Sequence, residues 1–146
     1  MASSKPKVGK KYFTVAQANS ALPLVRAIVR DVAVLANELR ERHERLNRLR
    51  PRERSGRSEA HQEELVQAEA EFERGQQRMQ EYELELKQLG IELKDYFTGL
   101  IDFPCWMNGH EVYLCWRLDE PEVGFWHEID AGFAGRQKLM VDAPVA

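Results

Sequence analysis

The side chains best equipped for chemistry gather in the last third of the chain. Trp106, Tyr113, Arg117, Trp126 and Glu128 stand there in strand-like runs, with Asp102, Glu111 and Cys115 between them. Alternation places all of these on one sheet face, too aromatic for a plain solvent surface and too charged for a plain core. Such a face suits a shallow pocket, in which aromatic walls hold an organic or peptide group while Arg117 and the acids fix its polarity. The plainer account covers it with the C-terminal segment, Phe133 included, or with a second subunit, and pairs Arg117 with a carboxylate. Gly132-Phe133-Ala134-Gly135-Arg136 follows. It reads either as an anion site, with converging backbone N–H groups and an Arg136 fork, or as a turn that lays Phe133 on the sheet. The candidate ligand-binding set is therefore Trp106, Tyr113, Arg117, Trp126, Glu128 and Arg136.

Patterns for metal or covalent chemistry are thin. His127 and Glu128 are neighbours in a strand and point to opposite faces, so they cannot share a site without a bulge. His127 falls on the apolar face and reads as a hydrogen-bonded structural histidine. Parity also allows a zinc site from His127, His110 and Cys105, but no short ligand spacing supports it. The sequence has no nucleophile elbow, Walker lysine or histidine pair at helical spacing. No catalytic residue is assigned, and no metal or cofactor is expected.

A β-meander must hold these residues. Asn108-Gly109 between two β-rich runs is a strong hairpin signal, because both central positions require positive φ. A two-residue turn there pairs Cys105 with Val112, Phe103 with Leu114 and Ile101 with Trp116 on an apolar face. On the other face it pairs Trp106 with Glu111, Pro104 with Tyr113, Asp102 with Cys115 and Leu100 with Arg117. Pro104 then falls at a non-hydrogen-bonded pair, tolerable if the first strand is an edge. A turn near Asp119-Glu120-Pro121 leads to a third strand, 122–129. Val123, Phe125, His127 and Ile129 are expected on the apolar face, with Trp126 and Glu128 on the other. Cys105 and Cys115 lie on opposite faces, which argues against a disulfide.

The scaffold beneath the meander is a helical hairpin. Val25, Ile28, Val32, Leu35, Leu39, Leu46 and Leu49 form one stripe; Leu65, Ala68, Phe72, Met79, Tyr82, Leu86, Leu89 and Leu93 form a second. Both follow the three-and-four spacing of a coiled-coil seam. Pro51 through Ser58 supplies the turn. Folding about it pairs Leu46 with Leu65, Leu39 with Phe72, Val32 with Met79 and Val25 with Leu86, and sets Gly75 against Leu35. Thr14 and Gln17 make a capping box for a short helix ending near Ala21, and Pro23 opens a second, longer one to about Arg50. The second hairpin helix runs from Ser58 to about Leu89, with Gly90 as its stop. From Val25 to Ala36 nearly every position is apolar, so a third element or another subunit must pack there.

The expected fold is α+β: a long antiparallel, coiled-coil-like helical hairpin packed on a small three-stranded antiparallel β-meander. Residues 1–10 read as a flexible tail. Residues 11–146 form one domain: 11–94 hairpin, 95–130 meander, 131–146 C-terminal segment. The 146 residues are 43% hydrophobic and 31% charged, which suits one soluble domain. No stretch approaches the roughly 18 apolar residues of a membrane span, and the basic N-terminus is not followed by a secretory core. Two cysteines are too few for a disulfide scaffold, so a reducing, cytoplasmic setting is expected. The net charge of −3 conceals a basic hairpin tip, Arg40 to Arg57, followed by an acidic helix. The arginines read as partners of Glu59, Glu63, Glu64 and Glu69 more than as a nucleic-acid contact.

Tyr12-Phe13-Thr14, Ala18-Asn19, Leu22-Pro23, Asp102-Phe103-Pro104, Tyr113-Leu114-Cys115-Trp116, Glu120-Pro121-Glu122, Trp126-His127 and Gly132-Phe133-Ala134-Gly135-Arg136 together resemble a widespread bacterial family of small proteins. That family is known only as a domain of unknown function. The resemblance spans Lys11 to Leu139. It implies a bacterial, cytoplasmic protein whose function belongs to the C-terminal third, and it supplies no activity, substrate or catalytic residue. The leading reading is a non-enzymatic, homo-oligomeric interaction or scaffold protein, a dimer or larger. The alternative is a small-molecule or anion-binding protein, possible enzymes included, with its site on the aromatic and charged sheet face and the Gly-Phe-Ala-Gly-Arg loop. Partners are then an unidentified protein or a small anionic ligand. Membranes are excluded, and nucleic acid is least favoured because acidic helix follows the basic tip.

Overall fold

A computed structural model of the chain describes residues 5–50 and 58–140. Of the turn expected from Pro51 through Ser58, residues 51–57 lie outside the described residues. Thr14 begins the first helix: its hydroxyl accepts the Gln17 N–H at 3.1 Å, and the Gln17 side chain accepts the Thr14 N–H at 3.0 Å. Helix α1 (Val15–Leu49) then continues through Pro23, where the sequence predicts a break. Ala18, Leu22, Val25, Val29 and Val32 form one buried face across the proline. Burying that face outweighs the ~3 kcal/mol local cost of an interior proline.

Ser58 caps helix α2 (Glu59–Gln88) by accepting the His61 N–H. At its end Gly90 takes φ 84°, and Gly90 N–H and Ile91 N–H return to the carbonyls of Lys87 and Leu86, both at 3.0 Å. That pair of bonds is a Schellman stop. The two helices pack along the predicted stripes, with Val25, Ile28, Val32, Leu35, Leu46, Leu65, Ala68, Met79 and Leu86 buried. The atoms nearest a Cβ on Gly75 belong to Leu39 and Arg42, one turn nearer the tip than the predicted Leu35. Arg45 reaches Glu64 at 2.9 Å, an ion pair of the kind expected at the basic tip.

Five antiparallel strands follow in spatial order β1 to β5: β1 (Glu92–Asp95), β2 (Leu100–Met107), β3 (His110–Arg117), β4 (Phe125–Glu128) and β5 (Gln137–Lys138). Two of them are additions to the expected meander. β1 carries three charges in four residues and pairs through a register shift, and β5 is two residues long; neither presents a period-two pattern to read. The β2–β3 register is the predicted one at every pair, with Asn108 and Gly109 at φ 52° and 81°. β1 pairs with β2 only as far as Asp102, and the Pro104 carbonyl instead accepts the Phe13 N–H at 2.7 Å. The proline thus meets the segment before α1 where a strand would have needed its N–H.

The third strand of the predicted meander sits one residue out of phase. β4 pairs His127 with Tyr113 and Phe125 with Cys115, which puts both on the face expected to hold Trp126 and Glu128. Trp126 and Glu128 pair with Leu114 and Val112 on the helix side. A one-residue slip turns the β4 side chains over, while Val123, ahead of the strand, stays in the helix-side core as expected. The cause lies in residues 118–124. The Trp116 indole donates to the Glu120 carbonyl, Glu120 accepts the Arg117 N–H, and Asn19 takes the Val123 N–H at 2.8 Å. These bonds set the phase from outside the strands.

The helix-facing side of the sheet completes the core: Ile101, Phe103, Cys105, Val112, Leu114 and Trp116 join Val25, Val29, Val32 and Leu86 in one buried cluster. The apolar belt of α1 therefore packs against α2 and the sheet of the same chain, with Val34 left 54% exposed. Among the described residues, no helix is long and apolar enough to cross a membrane.

Candidate functional site

The opposite face of the sheet is also covered, by two segments of the same chain. On one side Lys10 and Tyr12 converge on Glu111, the ammonium at 2.7 Å and the phenol at 2.6 Å, while the Tyr12 ring meets Trp106 edge-on. Lys7 N–H donates to the Tyr12 hydroxyl, so part of the segment expected as a tail is bound. Burial alone would raise Glu111, but the bonds from Lys10 and Tyr12 prevail and hold its carboxyl below the usual range.

On the other side the chain after β4 folds back through a single 3-10 turn, Phe133–Gly135. Arg136 anchors it. Its guanidinium lies 3.8 Å from the Phe125 ring centroid, donates to Glu120 at 2.8 Å and reaches the Cys115 carbonyl at 3.3 Å. Arg117 pairs with Asp119 at 2.6 Å and lies over Phe133. Both arginines hold the covering segment to the sheet, and Arg136 already has its carboxylate.

Between the two covers a cavity of about 170 Å³ remains, walled by Lys94, Leu100, Tyr113, Ile129 and Phe133. Asp102, Cys115 and His127 line it from β2, β3 and β4, three consecutive strands. One donor atom from each lies within 4.8 Å of the others, and all three residues are buried. His127 Nδ1 is 2.7 Å from the Glu128 carbonyl, so this nitrogen carries the proton and donates. Nε2 faces Asp102 Oδ2 at 3.0 Å. Asp102 Oδ1 is buried and has no hydrogen-bond partner. Burial raises the Asp102 carboxyl against the opposing pull of His127.

The surroundings of Cys115 favour its thiol form. Burial first, and the Asp102 charge next, push its thiol up to about 12. Both ring nitrogens of His127 are engaged elsewhere, so the imidazole is not aimed at the sulfur, and the thiol's side-chain partner is the Asp102 carboxylate. The Tyr113 phenol is likewise raised by burial and by Glu92, and Lys94 stands over its ring while pairing with Glu92.

Of the six candidate residues, Tyr113 alone lines this cavity. Trp106 is packed on Tyr12, and Arg117 and Arg136 hold the cover. Trp126 packs against the helix-side core, and Glu128 accepts from His110 at 3.1 Å on the same side. The parity-based trio of His127, His110 and Cys105 is divided between the two faces, because the slipped phase of β4 moves His127 away from the other two. The two cysteines are free and on opposite faces. The trio that does form could be read only in part: the Asn108-Gly109 register already paired Asp102 with Cys115, whereas His127 was hidden by the phase of β4.

A family model described as an uncharacterized conserved protein, DUF2203, matches residues 11–139. No curated protein and no solved structure matches the chain.

Proposed function

Since the chain belongs to the DUF2203 family of uncharacterized conserved proteins, we propose from the geometry of its sheet that it binds a small ligand in the cavity beneath Phe133. The observation that supports this reading is the half-satisfied Asp102 carboxylate: Oδ2 faces His127, while Oδ1 is buried without a donor. A buried carboxylate oxygen left unpaired costs free energy that a well-packed core avoids. The bonds around it come from three strands and from the Glu128 carbonyl, so the site is formed before any ligand arrives. Its volume suits a metal ion or a compound of a few heavy atoms.

A thermal-shift panel of divalent metals, small amines, carboxylates and phosphates tests the reading. At least one class should raise the midpoint of the wild-type protein, a ligand at ~100 times its dissociation constant adding about 2.7 kcal/mol. Asp102→Asn, which keeps shape and removes the charge, should abolish that response. A response that survives the substitution, or silence across the whole panel, overturns the proposal. A second reading, self-association through the groove beside Phe97, is supported by the apolar floor of that groove.

A further inference from the structure

The donor set around the cavity is more selective than a generic polar pocket. Within the reading just proposed, on which this inference rests, we infer that the ligand is a single zinc-class divalent ion, held by Cys115 Sγ, His127 Nε2 and an oxygen of Asp102, with its fourth position open to the cavity.

Four observations converge on this class. The first is composition: one thiol, one imidazole and one carboxylate suit a borderline-soft ion, and hard ions such as Mg²⁺ prefer oxygen alone. A thiolate and a carboxylate together also cancel a double positive charge, so the filled site would be neutral where burial demands it. The second is spacing. Tetrahedral zinc with ordinary bond lengths sets N and O ligands ~3.3 Å apart, and S about 3.6 Å from either. Nε2 and Oδ2 already stand at 3.0 Å, and the three donor atoms fall within 4.8 Å. The ion therefore needs the donors to close by at most a little over an ångström.

The third observation is the orientation of the ring. His127 Nδ1 donates to the Glu128 carbonyl at 2.7 Å, which fixes the ring and leaves Nε2 as the atom facing the cluster. A backbone carbonyl on the far nitrogen is the usual outer support of a metal-binding histidine. The fourth is the orphaned Oδ1 of Asp102, a second buried lone-pair donor on the same carboxylate. Three protein ligands and an open side resemble zinc sites that keep a position for water or substrate. Tyr113, Phe133 and Lys94 line that side.

The test uses the full chain, stripped by a chelator and dialysed. Titration with Zn²⁺, followed by competition with a chromophoric chelator, should show one ion per chain. Co²⁺ in its place should give the intense visible bands of a tetrahedral ion and a near-ultraviolet thiolate-to-cobalt charge-transfer band. Cys115→Ser should remove the charge-transfer band, and Cys115→Ser and Asp102→Asn should each weaken Zn²⁺ by at least about tenfold, with circular dichroism in chelator showing that each still folds. Should either variant not fold, the wild-type Co²⁺ spectrum decides by itself: no thiolate band overturns the inference. Zn²⁺ binding that both variants retain also overturns it, since the ion would then sit elsewhere. If Zn²⁺ and Co²⁺ fail while an organic compound shifts the wild type but not Asp102→Asn, the metal assignment falls and the binding reading stands. If neither metals nor organic compounds act, both fall.

Discussion

Two carboxylates on the outer face of the sheet show how differently burial can be resolved. Glu111 is 8% exposed and has an ammonium and a phenol on its two oxygens, whereas Asp102 is 3% exposed and has a partner for one oxygen only. The first is a structural clamp and the second is a site. Glu111 therefore carries a pH prediction. Its folded pKa lies below the ordinary glutamate value, so the folded state binds fewer protons than the unfolded chain as pH falls. Its contribution is complete above the unfolded glutamate pKa and is lost as pH drops through the depressed folded value. Replacing a charge-assisted pair of this kind should cost roughly 1.5–3 kcal/mol at neutral pH. Urea unfolding of Glu111→Gln against wild type should show that gap near neutrality and see it close in acid. A gap that stays constant across the range would mean the glutamate acts through packing and not through its charge.

At the scale of elements, the turn between β1 and β2 is the most tightly constrained joint. Gly99 sits at φ 70°, and a Cβ there would lie 2.7 Å from Val29 Cγ1 and 2.9 Å from Leu118 Cβ. The first contact is with the buried face of α1, so the glycine sets how closely helix and sheet approach. Gly99→Ala would meet both the steric overlap and the left-handed backbone cost, and should destabilise by about 2–4 kcal/mol. Thermal or denaturant unfolding measures it; a loss under about 0.5 kcal/mol, the range of surface changes, would refute the packing account. Nothing in the sequence marked that joint, and the reason is general to this fold. Asn108-Gly109 made the β2–β3 register legible because a two-residue turn leaves a single alignment. Three helix boundaries were legible because Thr14, Ser58 and Gly90 act on their own neighbours. The phase of β4 was not, since Asn19, more than a hundred residues away in sequence, helps to set it by holding Val123. Pro23 misled for the same reason: a long-range buried face overrode a local rule. His127 entered the site through that phase, so two of its three donors could be paired from sequence and the third could not.

For the whole molecule, assembly turns on the hairpin surface that the sheet leaves uncovered. The belt from Val25 to Ala36 called for a third element or another subunit, and the sheet of the same chain is that third element. Self-association has to use other surface. An apolar candidate is a groove of about 540 Å³ lined by Leu39, Phe72 and Met79, with Phe97, 46% exposed, beside them. Its rim mixes Arg40 and His43 on α1 with Glu83 on α2. A two-fold pairing could set each copy's basic side against the other's acidic side, which commits the groove to a second copy of this chain. A stable pair buries about 1,200–2,000 Å², more than one groove provides, so the flanking helix faces must also touch and the dimer should dissociate on dilution. Light scattering across the micromolar range should show a monomer–dimer equilibrium, and Phe97→Glu should shift it to monomer without altering the circular dichroism. Arg40 lies over the Phe97 ring at 4.8 Å within the chain, so the new carboxylate can pair locally and leave the fold intact. A wild-type protein that remains monomeric throughout, or a Phe97→Glu dimer as strong as wild type, would remove the groove as an interface and leave the cavity beneath Phe133 as the one functional surface proposed for the chain.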